Sequence, residues 1–139
     1  MKKVEKFEDL MAWQMAMDLN DRVYELTETP ALQRDFALID QMHRASISVP
    51  SNISEGFERG TRAQFHHFLS IAKASCAELR TQLYIVRRVK KGVDQEKLRG
   101  LHAFAEDVAR IIGKLRATVG QQRRTPHTPT HASSLMPHA

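Results

Sequence analysis

The chain has 139 residues, 42% of them hydrophobic and 27% charged, with 21 Lys+Arg against 16 Asp+Glu and a formal net charge of +5. That length suits one domain, and the apolar content excludes a wholly disordered chain. The single Cys76 excludes an internal disulfide framework and a cysteine-only metal site, and no apolar run approaches the roughly 20 residues that a membrane-spanning helix needs.

The N-terminal Met1-Lys2-Lys3-Val4-Glu5-Lys6 lacks the apolar block of a signal peptide, so the expected location is the cytoplasm. A first helix is expected over about residues 8–28, with Leu10, Met17 and Tyr24 on one stripe and Trp13 and Val23 beside it. A second, over about 31–58, aligns Leu38, Met42, Ala45, Val49 and Ile53. It contains Pro50, which removes an N–H and costs about 3 kcal/mol in a helix interior. The apolar stripe keeps its phase from Val49 to Ile53, which favours a bent, continuous helix over a break.

The third helix opens at Thr61-Arg62-Ala63-Gln64, a capping box, and is expected to end near Gly92 in a left-handed C-cap. Phe65, Leu69, Ala72, Cys76, Leu79, Leu83 and Val86 form its core seam, which makes Cys76 a buried structural thiol rather than a nucleophile. The fourth helix repeats the pattern with Leu98, Leu101, Ala105, Val108, Ile112, Leu115 and Val119, its outer face carrying Arg99, Glu106, Asp107, Arg110 and Lys114. After Gly120 the sequence turns rich in Pro, His, Thr and Ser with almost nothing apolar, the composition of a disordered tail. The expected fold is therefore all-α: an antiparallel up-down-up-down four-helix bundle over residues 1–119, with a disordered C-terminal tail over 120–139.

Three surface features stand out. Ile71, Tyr84 and Ile85 point away from the seam of the third helix on a face poor in charge, which favours a second packing surface, most simply another copy of the chain. On the second helix Gln41, Arg44, Ser48, Asn52, Glu55 and Arg59 form a polar stripe. A solvated face and an interface or inter-helix network both remain open for it. Charge is uneven: residues 1–60 hold seven basic and eleven acidic side chains, residues 61–91 seven and one, and residues 92–139 seven and four. Lys73, Arg80 and Arg87 recur every seven residues, and Arg88, Lys90 and Lys91 crowd the end of the third helix. These six are candidate contacts to nucleic-acid phosphates. Two structural roles compete, since cations near a helix C-terminus oppose its dipole and long basic stems can lie along a core.

Nothing marks a catalytic site. There is no phosphate-cradling glycine loop, no nucleophile elbow and no pair of Glu-x-x-His motifs for a di-metal centre. No catalytic residue, metal or cofactor is expected, and no helix-turn-helix or zinc finger offers sequence-specific readout.

Three stretches carry a family resemblance. Phe7-Glu8-Asp9-Leu10-Met11-Ala12-Trp13-Gln14 resembles an opening helix, the run from Gln41 to Gly56 with Ser48-Val49-Pro50-Ser51-Asn52-Ile53-Ser54-Glu55-Gly56 resembles a signature, and Phe68 to Leu79 is similar to a third helix. The family is that of bacterial four-helix-bundle proteins named for reading frames in 23S rRNA intervening sequences. The resemblance implies a homopentameric ring without established enzymatic activity. It also implies kinship with accessory proteins of diversity-generating retroelements, which use a basic ring to bind nucleic acid and a reverse transcriptase. The expected function is non-enzymatic: a self-associating bundle that binds RNA or DNA through the third helix. The alternative is a scaffold that displays the polar stripe to a protein partner. No membrane partner is expected.

Overall fold

The computed structural model describes residues 3–123. A single 3-10 turn, Phe7–Asp9, precedes four helices: α1 (Met11–Thr27), α2 (Phe36–Glu58), α3 (Arg62–Val89) and α4 (Gln95–Arg123). Among the described residues there is no strand. Each helix packs against its neighbours in sequence, and α1 closes on α4, giving a four-helix bundle.

The seams of α3 and α4 lie where their three- and four-residue spacing puts them. Leu69, Ala72, Cys76, Leu79, Leu83 and Val86 are buried against Leu98, Leu101, Ala105, Val108, Ile112 and Val119. From α2 come Met42, Ala45, Val49 and Ile53. Burial of this apolar surface, worth about 25 cal/mol per Å², is the main stabilising effect.

α1 differs from expectation. Its buried stripe is Ala12, Ala16, Leu19, Val23 and Leu26, while Met17 and Tyr24 are exposed. Two of these five buried positions are alanines, and Met17 and Tyr24 turn outward.

α2 begins later than expected. Residues 28–34 form turns in which Leu32 is fully buried. The helix starts at Phe36 behind Asp35, whose carboxylate accepts from the Leu38 N–H at 3.2 Å. The same carboxylate meets Lys90 at the end of α3, 2.7 Å away, and together they hold its pKa below the usual value. α2 then runs unbroken through a buried Pro50. Pro50 brings no N–H to the preceding turn, and burial of Met42, Val49 and Ile53 on both sides holds the two halves in line.

Glycine ends α2: Gly60, at φ +83°, follows the C-cap Arg59 in the left-handed region. Thr61 caps α3 by accepting from the Gln64 N–H at 3.2 Å. α3 stops at Val89 with Lys90 in extended geometry, so Gly92 (φ +85°) shapes the following loop rather than forming the cap itself. Asp94 opens α4 by accepting from the N–H groups of Glu96 and Lys97. α4 continues to Arg123, past the expected end at Val119, because Gln121, Gln122 and Arg123 are good helix formers. The rest of the expected tail, residues 124–139, lies outside the described residues.

Candidate nucleic-acid interface

α3 and α4 run antiparallel in one register that four contacts define. Arg116 Nε donates to Ser70 Oγ at 2.6 Å, and the rings of Tyr84 and His102 lie 4.4 Å apart. A Cβ on Gly113 would sit 3.6 Å from Lys73 Cε, and one on Gly120 would sit 3.3 Å from the His66 ring. Lys73 and His66 thus lie across α4 at these two glycines, and the approach at Gly120 is the tighter. The same register sets Arg80 opposite Glu106 and Arg87 opposite Arg99. His66, Lys73, Arg80 and Arg87 therefore recur every seven residues against Gly120, Gly113, Glu106 and Arg99. The row follows the outer groove between the two helices for about 32 Å at 1.5 Å per residue.

This groove is basic. Lys73 and Arg87 are exposed and Arg80 half-buried, and among the described residues no carboxylate lies within 4 Å of any of the three. Arg116 and Arg99 add two cations from α4, opposed by Glu106. Arg80 also reaches the Cys76 thiol electrostatically. Burial pushes that thiol up to about 11, and the nearby guanidinium only partly offsets the effect. Cys76 is fully buried in the seam.

The other three expected cations do not share the groove. Lys90 is committed to Asp35. Arg88, one position from Arg87, points about 100° around the helix onto the outer stripe with Thr81 and Ile85. Lys91 is exposed beyond the end of α3.

The polar stripe of α2 divides. Ser48 and Asn52 belong to an inter-helix network: Ser75 Oγ donates to Ser48 Oγ at 2.8 Å, and Asn52 Nδ2 donates to the Ser48 carbonyl and hydroxyl, both at 2.8 Å. Gln82 Nε2 donates to the Gln41 carbonyl at 3.2 Å. Arg44, Glu55 and Arg59 are exposed, with Glu55 and Arg59 3.7 Å apart and the Arg59 guanidinium over the Phe68 ring.

The contacts from Ser75 and Gln82 place the α3 stripe of Ile71, Ser75, Glu78, Gln82, Ile85 and Val89 alongside α2. The polar stripe and the apolar positions are thus one face of the bundle rather than two. Tyr84 is not on it. One residue before Ile85, it turns toward α4 and His102, so the expected trio of Ile71, Tyr84 and Ile85 is split between two faces. Ile71 is half-buried, whereas Ile85 and Val89 are 42% and 61% exposed. At the same end, Phe36 is 76% exposed beside the Asp35–Lys90 pair.

The α4 side of the groove is not evident from the sequence of α4 alone, where Arg99 and Glu106 belong to a charged outer face and Arg116 and His102 carry no motif. Its signal is the recurrence of Arg99, Glu106, Gly113 and Gly120 at seven-residue intervals, matching the period of Lys73, Arg80 and Arg87. A cavity of about 210 Å³ lies in the groove between Tyr84, Arg87, Arg99 and His102. A larger one, about 340 Å³, lies between the end of α1 and the start of α4, where Arg22 and Lys97 are balanced by Glu25 and Asp94. Among the described residues no cluster of three His, Cys, Asp or Glu could hold a metal ion, and no helix is long and apolar enough to cross a membrane.

The fold is similar to the crystal structure of a protein of unknown function of the S23 ribosomal protein family from Bacteroides thetaiotaomicron. The two chains are 18% identical with a TM-score of 0.68, covering 76% of this chain and 98% of that one. No curated protein matches the sequence significantly. The model of the 23S rRNA-intervening sequence protein family matches residues 8–114, spanning all of α1, α2 and α3 and most of α4. This chain belongs to the 23S rRNA-intervening sequence protein family.

Proposed function

We propose that this protein binds nucleic acid without sequence preference, through phosphate contacts along the α3–α4 groove, as an assembly of identical copies in the cytoplasm. One observation carries the reading: Lys73, Arg80 and Arg87 line one groove at helical repeat, and no carboxylate lies within 4 Å of them among the described residues. Cations that stabilised the fold would meet acids or the core, as Lys90 meets Asp35. A row of cations in net excess over the single Glu106 raises the local concentration of a polyanion and releases its counterions on binding. The groove offers no base-reading helix shape, which suits contacts to the backbone rather than to base edges.

Self-assembly draws on the α2–α3 face, where Ile85, Val89 and Phe36 are exposed at one end. A ring of five copies, implied by the family resemblance, would add the separate grooves into one larger positive field. The reading is of a binding protein rather than an enzyme, akin to the accessory proteins of diversity-generating retroelements.

The test replaces Lys73, Arg80 and Arg87 with Gln and titrates a labelled RNA at low salt. Loss of binding with unchanged helicity and mass supports the reading, and unchanged affinity refutes it. Capture of a protein partner that depends on Arg44, with no nucleic-acid binding by the intact protein, would favour the scaffold instead.

A further inference from the structure

The groove has one feature that phosphate binding does not use. Tyr84 is 52% exposed, and its hydroxyl makes no hydrogen bond among the described residues. Core packing does not require this ring. It leans on His102 with an interplanar angle of 58°, so the imidazole props one edge while much of the ring remains open to solvent. Leu83 and Leu98, both buried, form the apolar floor of the cavity beneath. Arg87 and Arg99 line the same cavity from the two helices, and neither has a carboxylate within 4 Å among the described residues. Two guanidinium groups lining one cavity from facing helices both favour an anion placed there. Glu106 lines the cavity on the side away from Arg99, one helical repeat along α4, and makes that side unfavourable for phosphate.

We infer that this cleft takes one unpaired base of a single-stranded nucleic acid, stacked on Tyr84, with its flanking phosphate between Arg87 and Arg99. The inference rests on the proposed function and deepens it by naming the strandedness of the ligand. An aromatic face accepts any base, so the site adds affinity without sequence readout. About 210 Å³ of space beside an exposed ring suits one splayed base. A duplex keeps its bases stacked inside and offers this groove only its phosphates. Glu106 accepts a hydrogen bond from a sugar hydroxyl or an exocyclic amine and orients the nucleotide with its phosphate toward the arginines.

The experiment compares fluorescence anisotropy of a labelled oligouridylate and a labelled RNA duplex of equal length at one low salt concentration. The proteins are wild type, Tyr84→Ala, Tyr84→Phe and the Lys73/Arg80/Arg87→Gln triple variant. Tyr84→Leu keeps the apolar volume and serves if the alanine variant loses helicity. The expected result is a wild-type preference for the single strand, a loss of about tenfold on that strand alone in Tyr84→Ala, and near-complete retention in Tyr84→Phe. Equal affinity of wild type and Tyr84→Ala for the single strand overturns the inference, as does an equal loss on both ligands. If the triple variant loses both ligands while Tyr84→Ala loses neither, the stacking site falls and the phosphate groove stands. If wild type binds neither, both fall.

Discussion

Gly56 is the position where a single methyl group has the most to displace. It sits in the last turn of α2, facing the first turns of α3. A Cβ built there would lie 2.6 Å from the Phe68 Cβ, 3.3 Å from Phe65 Cδ1 and 3.4 Å from Phe65 Cα. The nearest obstacle is fixed to the α3 backbone and cannot rotate away, so the helices must separate. Overpacking of this kind costs about 1–3 kcal/mol, while alanine recovers about 1 kcal/mol of helix propensity over glycine. The net expectation for Gly56→Ala is a loss of about 1 kcal/mol, or a fall in Tm of roughly 3–5 °C. Gly56→Val, with two more carbons and a restricted rotamer, loses more. Gly100 supplies the control: it is also inside a helix, and nothing lies within 4 Å of its missing Cβ. Gly100→Ala should therefore gain about 1 kcal/mol. Thermal and urea unfolding followed by circular dichroism decide the matter. A rise in Tm for Gly56→Ala equal to that for Gly100→Ala would refute the close α2–α3 approach.

Three further outcomes follow from the same packing. Cys76 should resist thiol reagents at pH 8 in the native protein and react fully in guanidinium, because burial holds its pKa near 11 against an ordinary value of 9.0. A group that binds its proton more tightly when folded leaves stability intact below pH 9. Stability then falls by about 3 kcal/mol as pH rises toward 11, and Cys76→Ser titrated in parallel should lack this loss. At Asp35, Asn preserves the cap on α2 but not the ion pair with Lys90, so Asp35→Ala should lower the Tm more than Asp35→Asn does. Its lowered pKa means that this contribution is present above the normal aspartate range and is lost as pH falls through it. Ile85→Asp, at an exposed site, should give a folded species of smaller mass by light scattering. An unchanged mass would remove the α2–α3 face from assembly.

The sequence carries the bundle most clearly where large apolar residues repeat alone. The seams of α3 and α4 are legible because Leu, Ile and Val recur at steps of three and four with polar residues between them. α1 is harder to read, since Ala12 and Ala16 take two buried positions with a weak hydrophobic signal while Met17 and Tyr24 are exposed. The turn before α2 looks helical because Leu32 is apolar, and only the cap at Asp35 reveals the true start. Neighbouring residues on a helix diverge by about 100°, which is why Tyr84 and Ile85 serve different faces. The pairing of Ser48 with Ser75, or of Tyr84 with His102, depends on the register between helices, and the pattern within one helix does not encode it. The cations of α3 are visible in sequence, but their groove exists only once α4 lies beside them.

The salt dependence of RNA binding tests the central claim most directly. Each phosphate contact to a single strand contributes about 0.7 to the slope of log affinity against log salt concentration. Replacing Lys73, Arg80 and Arg87 with Gln should therefore flatten that slope by about 2. Identical slopes for the intact protein and the triple variant would mean that the α3–α4 groove does not touch the phosphates.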